Sequence, residues 1–66
     1  MPDLTGYRLT NTHVGDNQVS YLWIKGIETI EHTCYFDEKH GMMQRWKRFG
    51  KSKSQTWDAY HQDWTA

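Results

Sequence analysis

Apolar and polar residues alternate along the first half of the chain with the period of two that marks extended backbone. In residues 18–25 (QVSYLWIK), Val19, Tyr21 and Trp23 fall on one face and Ser20, Leu22 and Ile24 on the other. Both faces carry apolar groups, which suits a central strand covered on at least one side. Residues 7–13 (YRLTNTH) form another β-prone run. The cluster Val14-Gly15-Asp16-Asn17 between the two predicts an antiparallel hairpin over 7–25. Gly26 marks a bend or bulge. In 29–36 (TIEHTCYF), Ile30, His32, Cys34 and Phe36 then alternate with Thr29, Glu31, Thr33 and Tyr35, the pattern of a third strand.

Asp37-Glu38-Lys39-His40-Gly41 has the composition of a hairpin turn, with an acid to open it and a glycine to close it. The segment after it, 42–49 (MMQRWKRF), supports two readings. As a helix it stacks Met42, Trp46 and Phe49 at spacings of four and three and stops at Gly50. As a strand it continues the hairpin. The strand is preferred, because two turns of helix after so short a loop would be poorly nucleated. The span 29–49 then supplies the third strand and a fourth.

Gly50-Lys51-Ser52-Lys53-Ser54 reads as a polar linker. Beyond it Trp57, Tyr60 and Trp64 recur at three and four residues, which predicts a short helix over about 56–64. Ser54 or Thr56 would cap it, and Asp58 would sit in the first turn, where the helix dipole favours an anion. Its three rings would form the missing core layer. The expected fold is one small α+β domain spanning 1–66: an antiparallel sheet of three to four strands with a short C-terminal helix packed on one face.

Size sharpens this picture. A chain of 66 residues buries only about 60% of the surface it exposes when unfolded, so its core is marginal without further support. Cys34 is the one cysteine and can form no intramolecular disulfide. Four Trp, four Tyr and two Phe compensate in part, and a core this small leaves some of those rings exposed. No run approaches the roughly 18 apolar residues of a membrane span. Residues 1–6 lack the basic and apolar regions of a signal peptide, and a cytoplasmic location is expected. The small size is also that of accessory proteins of phages and mobile elements.

Charge is segregated although the total is zero. Lys39, Arg45, Lys47, Arg48, Lys51 and Lys53 fall within 39–53 without an acid, and acids prevail on either side. Trp46 and Phe49 lie inside this basic stretch. Lysine and arginine could neutralise phosphates while a ring stacks on an unpaired base, so nucleic acid is one candidate partner. The acidic remainder and the zero net charge argue against it. A protein partner, or self-association, needs no positive total, and Trp, Tyr and Arg dominate protein interfaces. The expected function is non-catalytic protein binding, as an inhibitor, adaptor or assembly component. Arg45, Trp46, Lys47, Arg48 and Phe49 would be the contacts, and Lys51 and Lys53 would add longer-range attraction.

Other chemistries find less support. His32 and Cys34 lie two apart on one strand face, His40 follows in the turn, and His61 comes later; they are weak zinc-type candidates. Their spacing matches no paired-ligand pattern, so neither a metal nor a cofactor is expected. Gly50-Lys51-Ser52 resembles the end of a phosphate loop, but Arg45 stands where its first glycine is required. Asp3 with Asp37, Glu38 and Lys39 mimics a nuclease set that so small a chain could not hold in place. Cys34 beside His32 lacks the glycine-rich oxyanion turn of a thiol enzyme. No enzyme activity is expected.

Overall fold

The computed structural model describes residues 1–51 and 53–65. Six strands follow one another: β1 (Arg8–Gly15), β2 (Gln18–Lys25), β3 (Glu28–Asp37), β4 (Gly41–Phe49), β5 (Ser54–Asp58) and β6 (Asp63–Thr65). Each pairs antiparallel with the next, giving a single meander of order β1-β2-β3-β4-β5-β6. The described residues contain no helix. The expected α+β fold of three to four strands with a C-terminal helix is therefore replaced by an all-β sheet.

The segment 56–64 forms a hairpin where a helix was expected. Trp57 and Trp64 pair across a hairpin, as do Asp58 and Asp63, and the indole rings meet edge to face at 5.3 Å. A separation of seven residues puts two side chains on one face of a helix. It also makes them opposite partners around a short loop, so the spacing alone does not distinguish the two. The Asp58 carboxylate decides it locally. It accepts hydrogen bonds from the backbone N–H of Tyr60 (2.9 Å) and His61 (3.3 Å), and its other oxygen lies 2.6 Å from His61 Nδ1. Asp58 thus builds a turn between two strands instead of sitting in the first turn of a helix. Tyr60 stands at the loop tip, 89% exposed, and contributes nothing to the core. Of the expected linker 50–54, Ser52 lies outside the described residues, and Ser54 begins β5.

Cross-strand partners share a face, so the register sorts the side chains. One face, called A below, carries Val14 of β1, Val19, Tyr21 and Trp23 of β2, and Ile30, His32, Cys34 and Phe36 of β3. Met42, Gln44, Trp46 and Arg48 of β4 continue it, followed by Gln55, Trp57 and Trp64. The opposite face, B, is more polar and carries Glu31, Thr33, Arg45, Lys47 and Phe49. Its Thr33 is buried and its hydroxyl lies 3.4 Å from that of Ser20.

Among the described residues no second sheet or helix covers face A. Instead the segment before β1 crosses it. Met1 lines a shallow cavity together with Gln44, Trp46 and Trp57, and Pro2 is fully buried. At the other end of the segment the Tyr7 hydroxyl donates to Glu28 at 2.7 Å, and the Lys25 ammonium sits 5.3 Å from the Tyr7 ring centre. Ile30 and Trp46 form the buried apolar core beneath this strap. Toward the β1–β2 and β3–β4 turns, face A is open.

Candidate docking surface

The basic stretch does not fold into one surface. A pleated strand sends successive side chains to opposite faces, and β4 runs through the middle of it. Trp46 and Arg48 point to face A, whereas Arg45, Lys47 and Phe49 point to face B. Trp46 is only 7% exposed, with its indole stacked on the His32 imidazole at 3.5 Å and 5°. It is core, with no ring face left for a partner.

Arg48 is engaged as well. Its guanidinium donates from both Nε (3.0 Å) and an Nη to Gln55 Oε1, and lies 4.4 Å from the Trp64 ring centre. It ties β4 to β5 and β6 and neighbours Tyr7. Burial pushes the Tyr7 hydroxyl pKa up, and the Glu28 carboxylate that accepts its hydrogen bond adds to the effect.

On face B, the Lys47 ammonium lies 5.8 Å from the Phe49 ring centre, a cation–π pair two residues apart on one strand. Lys51 and Lys53 lie in the β4–β5 loop beside Glu28, Arg48 and Gln55. Lys39 sits at the other end of β4, in the β3–β4 turn. The six bases are therefore spread over two faces and both ends of the sheet.

His32 and Cys34 are adjacent, as their spacing implies. His32 Nε2 lies 2.9 Å from Gln44 Oε1 and 3.4 Å from Cys34 Sγ. The amide oxygen only accepts, so Nε2 carries the proton and donates to it. The thiol thus faces an N–H and has no base beside it. Burial between Tyr21 and Trp46 pushes the His32 pKa down, against a smaller opposing effect of the Gln44 hydrogen bond. His40 bonds Asp37 within its own turn, and His61 bonds Asp58 within another. These turn contacts hold the Asp37 and Asp58 carboxyls below the usual carboxylate range. The Lys39 N–H is the largest cause for Asp37, and the His61 ring for Asp58. Among the described residues no three His, Cys, Asp or Glu side chains gather as metal ligands.

The distinctive surface lies elsewhere. At the open end of face A, Val14, Val19, Cys34, Phe36 and Met42 line a shallow groove with Gly15, Asn17 and Gln18. Val14 is 72% exposed, Phe36 53% and Met42 74%. Among the described residues no charged side chain lines the groove. The sequence carries one signal for it: Phe36 and Met42 are the apolar residues on either side of the turn-forming run Asp37–Gly41. Those two are cross-strand partners. What it does not carry is the knowledge that nothing covers them.

Compared with known proteins, the chain matches no family model, no curated protein and no solved structure.

Proposed function

We propose that this chain is a small non-catalytic binding protein, an inhibitor, adaptor or assembly component, acting through protein–protein contact at the open end of face A. The carrying observation is the contiguous exposure of Val14, Phe36 and Met42 around an uncharged groove. Exposed apolar groups that are grouped, unlike scattered ones, mark contact surfaces. The contact therefore centres on this groove, with Arg45, Lys47 and Phe49 on the opposite face outside it. A lone cysteine that forms no intramolecular disulfide fits a reducing, cytoplasmic setting. Among the described residues no helix is long and apolar enough to cross a membrane.

Affinity capture from host extract with nuclease present tests this reading. A specific protein bound by the wild type and lost with Met42→Glu is expected, because Met42 is exposed and its change spares the fold. Retention of every bound protein by Met42→Glu would defeat it.

A second reading has its own observation. Arg45, Lys47 and the 38% exposed Phe49 share face B, with Lys51 and Lys53 beyond the end of β4. If they grip a single strand, binding falls steeply with salt, and Lys47→Ala and Lys51→Ala weaken all sequences about equally. No binding to DNA or RNA at low salt removes this alternative.

A further inference from the structure

Face A is covered over only half its length. The strap formed by Met1 to Tyr7 shields Ile30 and Trp46, while Val19, Cys34, Phe36 and Met42 have no layer above them. A β-sheet with an apolar face becomes stable by packing that face on a second layer. In this chain the second layer is a seven-residue segment, and among the described residues the buried apolar side chains are Ile30 and Trp46 of the sheet and Pro2 of the strap. For chains this short, association is one of the usual remedies for a small core.

We infer that the occupant of the open half of face A is a second copy of this chain, in a symmetric dimer packed open half against open half. The inference rests on the protein-docking reading above and names its partner. Three observations favour a second copy. The chain has zero net charge, so no long-range repulsion opposes self-association. The groove is uncharged, so no side chain in it loses solvation unpaired when the same groove closes on it. The strap also leaves room for this arrangement. A two-fold axis lying across the strands brings the open halves together and carries the two straps out to opposite sides.

The sheet edge is the competing route, and it is a poorer one. β1 is a long exposed edge, but its register shifts between Leu9 and Asn11, and such a bulge disrupts regular pairing with another strand. The molecule measures 35 × 27 × 20 Å, so half of its broad face projects about 470 Å². Two such halves reach about the 1,000 Å² at which specific interfaces begin. The dimer is therefore weak, forming in the micromolar range or above.

Cys34 reports on the geometry, because it lines the groove and is the sole thiol. In the face-packed dimer the two Cys34 side chains approach each other across the contact. In an edge-paired dimer through β1 they are about 24 Å apart, five strand spacings.

The experiment is sedimentation equilibrium of the full chain from micromolar to millimolar concentration, paired with a short bismaleimide cross-linker. Expected are a concentration-dependent dimer, a covalent dimer through Cys34, and a dimer constant weakened about tenfold or more by Met42→Glu and by Val14→Lys. Leu9→Glu at the β1 edge leaves association unchanged. Circular dichroism confirms the sheet in each variant. A wild type that stays monomeric throughout overturns the inference; if Met42→Glu still abolishes capture of another protein, the docking reading survives. A dimer broken by Leu9→Glu, without the Cys34 cross-link, also overturns it in favour of edge pairing. A dimer indifferent to both groove variants counts against the inference, and the capture experiment then decides the docking reading on its own.

Discussion

His32 and Trp46 are the residues on which the core turns. The imidazole lies flat against the indole and beside Tyr21, and this half-buried site favours the neutral ring. Because the folded pKa is depressed, the unfolded chain takes up a proton that the folded chain refuses. Stability is complete above the ordinary histidine value of 6.5 and falls as the pH drops through it and below. Urea midpoints measured between about pH 7.5 and about pH 5 should decline for the wild type and flatten in His32→Gln. A slope that survives the substitution would place its origin elsewhere. Trp46→Ala should cost about 3–5 kcal/mol, the range for deleting a large buried ring. In so small a domain that is enough to abolish folding, visible as loss of the circular dichroism signature. A folded Trp46→Ala protein would contradict the core assignment. The sequence marked Trp46 as aromatic and flanked by bases; which way it points is set by the pairing of β3 with β4.

At the level of elements, the six strands depend on turns more than on strand propensity. The β3–β4 connection closes on Gly41, whose φ of +78° lies in the left-handed region. A Cβ there meets no neighbour within 4 Å, so Gly41→Ala pays only the backbone cost, about 1–2 kcal/mol. Gly50 is equally open but lacks a positive φ, and Gly50→Ala should be nearly neutral. Equal losses at the two positions, measured by urea titration, would refute the backbone explanation. In the β5–β6 loop Gln62 holds φ 54°, a strained value for a residue with a side chain, so Gln62→Gly should stabilise the hairpin by up to about 1 kcal/mol. The strand pattern of 18–25 and 29–36 was legible because half-buried strands enforce alternation residue by residue. The 56–64 hairpin was not, because the spacing of Trp57 and Trp64 fits a helical period and a hairpin register equally well. The Asp58 turn that separates these readings is made by local contacts to Tyr60 and His61, and an aspartate at that position serves a helix's first turn as readily as a loop.

For the whole molecule, the decisive fact is a single-layered sheet with one face half covered. The strap is a layer of its own. Its removal by deleting residues 1–6 should expose about 100 Å² or more of apolar surface and lower stability by about 2.5 kcal/mol. A red-shifted tryptophan emission and a lower urea midpoint are the expected readouts, and an unchanged midpoint would show that Pro2 and its neighbours do not shield the core. The charge pattern, conspicuous along the chain, becomes diffuse in space. β4 sends its bases alternately to two faces, Arg48 is spent on Gln55 and Trp64, and Lys39 sits at the far end. The compact contact run expected over Arg45–Phe49 therefore has no single surface to occupy.

The sequence by itself determined the extended character of the first half, the scarcity of core, the segregation of charge along the chain and the absence of any intramolecular disulfide. These follow from composition and from period-two alternation, which are local properties. Only the tertiary structure decided that the C-terminal segment is a hairpin, that Trp46 is buried and Arg48 engaged by Gln55 and Trp64, and that the N-terminal segment serves as half of a second layer. It alone left Val14, Phe36 and Met42 open together. The physical reason is that alternation fixes which residues share a face, whereas coverage of a face depends on what distant chain lies over it. No local pattern encodes that.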